Sequence, residues 1–262
     1  MKAFNAALHT EFMKVWKSKM LWITIIFFLF IAFMMGFLMF IAKHPEIAGN
    51  SVILSTKASL ISQSNWLAYF GLLMQLILVL GVVGPGIVVV WIFGREYSDR
   101  VIKDILALPV SRFRIVSAKF IIGFVWSILL LVILFGVGIL AGFAVKLDGW
   151  TSVYFSDNIL TFAVCSLLTI LLCTPIALIT CISRGYLLPI GFIILIMIIT
   201  QFIFMGMTGI TPYFPWTIPG LYSGVAGPGN PEPTALSYFI LVITSFSGFA
   251  GTAAWWRYAD HT

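Results

Sequence analysis

Six long apolar segments without aspartate, glutamate, lysine, arginine or histidine constrain this chain more than any other feature. They cover residues 20–42, 66–93, 120–145, 159–183, 187–207 and 236–256. A helix rises about 1.5 Å per residue, so each segment can cross a hydrocarbon core of about 30 Å. The first exceeds the apolar region of a signal peptide, about 7–15 residues, and we expect it to be retained as a transmembrane helix. We predict an all-α polytopic membrane protein with six transmembrane helices.

The composition leaves little room for a domain outside the membrane. Hydrophobic residues make up 61% of the 262 residues and charged residues 9%, against about 45–50% and about 25% in soluble domains. A soluble surface cannot be covered with so few charges. We therefore expect one transmembrane domain over 1–262, with a segment at 1–19, a loop at 94–119 and a second loop at 208–235 outside the spans.

The lysine and arginine residues predict the orientation. One set of loops carries twelve of them and the other set carries three, Lys43, Lys57 and Lys146. Under the positive-inside rule the richer side faces the cytoplasm, so both termini are predicted to be cytoplasmic. The net charge of +6 is then explained by anionic lipid at the inner leaflet, and no nucleic-acid partner is needed.

Several classes of function lack the residues they need. The spans contain no charged residue and no histidine, which argues against coupling to protons or sodium through intramembrane carboxylates. The sequence has no G-x-S-x-G, H-E-x-x-H or Gly-Lys-Ser/Thr motif. Cys165, Cys173 and Cys181 lie in one apolar segment and are predicted to be buried free thiols. We expect no enzyme activity, metal site or cofactor in this chain.

Mild polar and helix-breaking residues interrupt the spans. Six polar side chains are interpreted as hydrogen-bonding between helices, with substrate contact as the alternative: Gln75, Thr169, Thr174, Thr180, Thr200 and Gln201. The triplet Gly84, Pro85 and Gly86 is a candidate hinge in the second span, although kinks and close packing produce the same pattern.

The first residues form an amphipathic pattern. Apolar side chains recur at helical spacing along one face: Phe4, Leu8, Phe12, Val15 and Trp16. Such a helix is expected to lie at the inner membrane interface, with its aromatic rings among the headgroups and its lysines on anionic lipid. A simple anchor and a mechanical role both fit this pattern.

The loop after the second span combines a short apolar helix with a sharp turn. Ser98 can cap a helix whose apolar face is Val101, Ile102, Ile105, Leu106 and Leu108. Pro109 is expected to end this helix, and Ser111 to cap the next one, which continues through Lys119 into the third span.

This loop resembles the one in permease subunits of type-2 ABC exporters. The matching residues are Glu96, Leu106, Pro109, Val110, Ser111, Arg112 and Lys119. One departure is Arg100 and Val101, where the family often has Gly-Thr. The resemblance implies a coupling helix docked on a separate P-loop ATPase, with contacts from Glu96, Arg100, Val101, Ile105, Leu106, Pro109, Ser111 and Arg112. It also implies two ATPase subunits that bind ATP and Mg, a second permease copy or paralogue, and a bacterial plasma membrane.

The segment before the last span is rich in proline and aromatic residues and has no lysine or arginine. Its stretch containing Pro215, Trp216 and Pro219 resembles permeases of the bacitracin-resistance and lantibiotic-immunity kind, which implies short re-entrant helices on the outer side. An exposed loop is the alternative. The resemblance implies export of an amphipathic, peptide-antibiotic or lipid-like compound. A secondary transporter or channel and a non-transporting assembly or sensor subunit remain as alternatives.

Overall fold

The computed structural model describes residues 2–44, 65–106, 110–227 and 229–259, and helices form most of these ranges. The α-helices are α1 (Lys2–Trp16), α2 (Lys19–Lys43), α3 (Trp66–Ser98), α4 (Ile102–Leu106), α5 (Arg112–Ala144), α6 (Ser152–Leu171), α7 (Thr174–Ser183), α8 (Leu187–Gly206), α9 (Ile218–Tyr222) and α10 (Ala235–Tyr258). Two 3-10 turns, Thr211–Tyr213 and Pro215–Thr217, precede α9.

Within the described ranges, six spans are long and apolar enough to cross a membrane: α2, α3, α5, α6 together with α7, α8 and α10. The prediction of an all-α polytopic membrane protein with six transmembrane helices is confirmed. The helices α3 and α5 are longer than their apolar segments, with 33 residues each. The loop predicted at 94–119 is therefore largely helical, and only residues 99–111 separate α3 from α5.

The helices α3 and α5 pack closely at the centre of the protein. Glycines on α5 make the close approach possible, because a Cβ atom at Gly138 would lie 2.6 Å from Leu73 Cδ2. A Cβ atom at Gly142 would lie 2.6 Å from the Trp66 ring. The Tyr69 hydroxyl donates a hydrogen bond to the Gly138 carbonyl at 2.7 Å. Small residues that allow backbones to approach are the usual means of holding membrane helices together.

The candidate hinge lies inside a continuous helix. The helix α3 runs through Pro85 without a break. Its two neighbouring glycines are packing positions, since added Cβ atoms would lie 2.4 Å from the Phe28 ring at Gly84 and 2.8 Å from Ile193 at Gly86. Movement at this triplet stays a prediction.

The fourth span is broken into α6 and α7 by a proline. Pro175 has no backbone N–H, so the Leu171 carbonyl one turn earlier loses its helical partner. The Thr174 hydroxyl lies 2.9 Å from that carbonyl, within hydrogen-bond distance. The same hydroxyl lies 2.6 Å from the Ser245 carbonyl on α10, so the break is also the point where α10 crosses. The three cysteines on α6 and α7 and at the break between them are buried and free, as predicted.

The crossing of α10 over this break depends on a glycine. A Cβ atom at Gly248 would lie 2.4 Å from the Pro175 backbone nitrogen and 2.5 Å from the Thr174 carbonyl carbon. Both neighbours are backbone atoms that cannot rotate away. Close contact here fixes the last helix against the fourth span.

We expect Gly248→Ala to lower the stability of the protein by about 1–3 kcal/mol, because the added methyl group must push α10 from the break. The matched control is Gly136→Ala on α5, where nothing lies within 4 Å of an added Cβ and alanine favours the helix by up to about 1 kcal/mol. Thermal unfolding in detergent measures both. Equal unfolding temperatures for the two variants would contradict this account of the crossing.

Candidate functional site

Four charged side chains meet at the end of the bundle where α1 packs against α3 and α5. The Lys119 Nζ lies 2.6 Å from Glu96 Oε1 and 3.1 Å from Glu11 Oε2. The Lys14 Nζ lies 2.6 Å from Glu11 Oε1 and 3.1 Å from Glu96 Oε1. Each lysine therefore bridges both glutamates. We call these four residues the charge cluster.

The charge cluster is buried and electrically neutral. The side chain of Lys119 is 1% exposed and that of Glu96 is 3% exposed, while Lys14 is the most open member at 28%. The Lys119 ammonium also donates to the Ile92 carbonyl at 3.3 Å and lies 5.8 Å from the centre of the Trp256 ring. A buried ion pair is costly to desolvate and is tolerated only when its charges are matched and hydrogen-bonded.

The surroundings of Glu11 favour its ionised form. Burial raises the pKa of this carboxyl, but Lys119 and Lys14 outweigh burial and hold the pKa below its ordinary value. The side chain therefore stays negatively charged at neutral pH, where the neutral balance of the charge cluster requires it.

Glu11 is the site residue that the sequence analysis missed. The helix α1 was expected to place its lysines on lipid, but Lys14 instead pairs with Glu11 and Glu96. A signal was available, since Glu11 is the only acidic residue in the first 44 positions. A single carboxylate among so many basic residues indicates a partner inside the protein.

The turn after α3 is formed by Arg100. Its backbone has φ of 57°, the left-handed region that glycine usually occupies. The Arg100 N–H donates to the Tyr97 carbonyl at 3.2 Å, and the Val101 N–H to the Glu96 carbonyl at 3.1 Å. These two bonds end α3 and turn the chain into α4.

The short helix differs from its predicted form. Ser98 was expected to cap it, but Ser98 is the last residue of α3, and α4 covers only Ile102–Leu106. Ile102 is buried and Ile105 packs against the core, while Val101 is 36% exposed. Pro109, which was predicted to end the helix, lies outside the described residues.

Arg112 connects the end of this loop to the last span. Its guanidinium donates to the carbonyls of Trp256 and Arg257, each at 3.0 Å. Cations at the C-terminus of a helix satisfy its free carbonyls and interact favourably with its dipole. Ser111 begins α5 without a side-chain capping bond. The predicted coupling residues from Glu96 to Arg112 that the structure describes thus lie at one end of the bundle, next to α1 and the C-terminus of α10.

The predicted interfacial residues divide between two environments. Phe4 and Leu8 are half-buried. Phe12 and Trp16 are exposed and stack on each other, with ring centres 5.9 Å apart. An exposed aromatic pair beside a transmembrane helix is typical of the headgroup level, and this placement stays a prediction.

The segment between α8 and α10 folds back into the protein. Ile218 is fully buried against Leu168 and Leu172 near the break of the fourth span. The Cys165 thiol donates to the Pro219 carbonyl at 3.4 Å. The predicted residues Pro215 and Trp216 are half-buried, and Pro219 is buried. The side of the membrane that this segment faces stays a prediction.

A cavity of about 320 Å³ lies between α3, α6, α8 and the folded-back segment. Its polar lining side chains are Gln75, Thr169, Thr200, Gln201 and Trp216.

The interpretation of the polar span residues as bonds between helices holds at Thr174 alone among the four threonines. The hydroxyls of Thr169, Thr180 and Thr200 bond to carbonyls of their own helices.

Within the described residues, no group of histidine, cysteine, aspartate or glutamate side chains could hold a metal ion. The charge cluster lies at one end of the protein, and the polar cavity lies toward the other end.

Comparisons with known proteins agree on one family. The family model described as ABC-2 family transporter protein matches residues 7–201. The chain is also similar to the bacitracin transport permease protein BCRB of Bacillus licheniformis. The two are 25% identical over 188 residues, which cover 71% of this chain and 88% of that protein.

We expect Lys119→Met to destabilise the protein by about 3 kcal/mol or more, because two buried carboxylates would then share one lysine. The double variant Lys119→Met with Glu96→Gln restores neutrality and should recover most of the loss. The control is Arg95→Gln, which removes the exposed Arg95–Asp99 pair and the contact of Arg95 with the Trp91 ring, and should cost about 1 kcal/mol. Thermal unfolding in detergent is the measurement. A Lys119→Met variant as stable as the native protein would show that the charge cluster does not hold α1 in place.

Proposed function

Because this chain belongs to the ABC-2 transporter family, we propose that it is the permease subunit of an ATP-driven exporter, with ATP hydrolysis carried out by separate P-loop ATPase subunits. The resemblance to type-2 ABC permeases noted in the loop at 94–119 is confirmed by this membership. The chain is a multi-pass membrane protein and an ABC transporter permease subunit. Its partner, cargo and direction of transport are parts of the proposal.

The observation that carries the proposal is the connection of the loop between α3 and α5 to four helices. Glu96 and Lys119 lie on either side of this loop, and they are joined to Lys14 and Glu11 of α1, respectively. Arg112 joins the loop to the end of α10. A displacement of α4 is therefore passed to α1, α3, α5 and α10 together.

Such a connection is what an ATP-driven permease needs. ATP can shift a transporter between two states only if it binds to the states with different affinity. The free energy of ATP binding can move the spans only if the contact between the ATPase and the permease is rigid. The buried Ile102 and the two backbone bonds at the Arg100 turn hold the loop against the bundle, while Val101 is exposed for contact with the ATPase.

The assembly proposed here contains two permeases and two ATPases in a bacterial plasma membrane, with both permease termini in the cytoplasm. The ATPase dimer would close on ATP and push α4, which changes access to the space between the helices. We propose an amphipathic, lipid-like or peptide-antibiotic cargo. The six apolar segments, which contain no charged residue, and the similarity to a permease named for bacitracin transport support this class.

Alkaline phosphatase fusions test the orientation. A fusion after Lys146 should be enzymatically active because that loop is predicted to be outside, and a fusion after Arg114 should be inactive. The structure places Lys146 at the end of α5 opposite to Arg114, so the two fusions report on the two ends of one span. The reverse pattern would overturn the proposed orientation and the cytoplasmic position of α4.

Copurification tests the ATPase partner. We expect a P-loop ATPase encoded beside this chain to copurify with the tagged native protein, and Val101→Asp to reduce its recovery at least tenfold by placing a charge on the exposed apolar contact. Val153→Asp is the matched control, because Val153 is exposed at the start of α6, at the opposite end of the bundle.

A second variant separates binding from coupling. Arg112→Gln should retain the ATPase but lose the stimulation of ATP hydrolysis by cargo, since the bond from the loop to α10 is broken. Equal recovery of the ATPase with native protein and Val101→Asp would overturn the role of α4. Transport driven by an ion gradient without any ATPase would favour a secondary transporter.

A further inference from the structure

The cavity between α3, α6 and α8 is lined by two glutamine side chains to which no other role has been assigned above. Gln75 on α3 and Gln201 on α8 lie in transmembrane helices and line this cavity. Both are exposed, and the described residues include no hydrogen-bond partner for either carboxamide. A polar group without a partner is costly in hydrocarbon, and such residues in spans are usually functional.

Trp216 lies in the same wall. The indole Nε1 of Trp216 is buried and has no acceptor within the described residues. Trp216 belongs to the folded-back segment, and its ring packs against the ring of Phe192, with the two ring centres 6.1 Å apart. Trp216 thus lines the cavity with its ring, and the polar groups of the wall are the two carboxamides, each of which both donates and accepts.

The chemistry of the lining excludes a charged ligand. Among the described residues, no ionisable side chain lines the cavity, and Gln75 and Glu96 lie 21 residues apart in one helix, which is about 30 Å along its axis. The remaining walls are apolar, with Leu78, Val79 and Ile196 among them. A neutral hydrogen-bonding group fits the polar part and a hydrocarbon chain fits the rest.

We propose that this cavity binds the uncharged, hydrogen-bonding headgroup of an amphiphile that enters from the lipid between α3 and α8. The exposed positions of Gln75 and Gln201 place the opening at these two helices. The proposal specifies the chemical class of the bound ligand. It rests on the proposed function only where it identifies this ligand as the cargo.

The test uses three radiolabelled probes with the same sixteen-carbon chain and the purified permease in neutral-lipid nanodiscs without any ATPase. Palmitamide has a neutral carboxamide head, hexadecyl sulfate a permanent negative charge and hexadecyltrimethylammonium a permanent positive charge. We expect saturable binding of palmitamide at least tenfold tighter than that of either charged probe. Equal affinity for all three probes would overturn the proposal.

Amide-to-leucine variants locate the site. Gln75→Leu and Gln201→Leu should each weaken palmitamide binding about threefold to tenfold, since each removes hydrogen bonds to the headgroup. Asn158→Leu is the matched control, because it also replaces a carboxamide in a span but its side chain bonds to the Tyr154 carbonyl outside the cavity. Ala226→Phe keeps the polar groups and fills the cavity from the folded-back segment, so it should reduce binding without removing a hydrogen bond.

A second copy of the chain is the competing occupant. If the glutamine variants abolish self-association and leave palmitamide binding unchanged, the two carboxamides pair across a dimer and the proposal is wrong. The binding assay contains no ATPase. A failure of the copurification experiment therefore leaves a positive binding result standing, and a failure of palmitamide binding leaves the permease assignment standing.

Discussion

The arrangement of the helices at the charge cluster depends on one condition, which is that the charges of the buried Lys119 and the half-buried Lys14 cancel those of two buried glutamates. Lys119 is the central member, because it is fully enclosed and contacts carboxylates from both α1 and α3. Removing any one charge leaves another without compensation in a medium of low dielectric constant. The amphipathic α1 is therefore fixed to the spans by charge pairing at Glu11 and by the burial of Val15, which makes it part of the mechanical unit proposed for coupling.

Close backbone packing supplies the second constraint. In a bilayer the spans gain little from the hydrophobic effect when they associate, so contact area and hydrogen bonds decide how they pack. The close contacts between these helices are made at glycines, which have no side chain: Gly138 and Gly142 on α5 and Gly248 on α10. Pro175 breaks the fourth span at the place where α10 crosses, and the Thr174 hydroxyl shares its one proton between the Leu171 carbonyl and the Ser245 carbonyl of the neighbouring helix. The break in the fourth span and the crossing of α10 therefore occur at the same place.

The sequence predicted the six spans because hydrocarbon imposes a length and a composition that can be counted directly. It predicted the ends of the helices less well, since α3 ends at a turn in which Arg100 occupies a conformation typical of glycine. It missed Glu11 because its buried partner Lys119 is distant in the chain and no periodicity connects the two residues. The four threonines were assigned to contacts between helices, but a threonine hydroxyl can also bond to the carbonyl one turn earlier, and three of them do so alone. The polar cavity could not be predicted, because its walls come from four separate parts of the chain.

The separation of the charge cluster along the chain also has a consequence for biogenesis. Glu11 and Lys119 are 108 positions apart, so the first helix leaves the ribosome well before its lysine partner is made. Until the third span is inserted, α1 carries a carboxylate that can pair only with Lys14 beside it. The contact of α1 with Lys119 therefore requires that the third span has already been made.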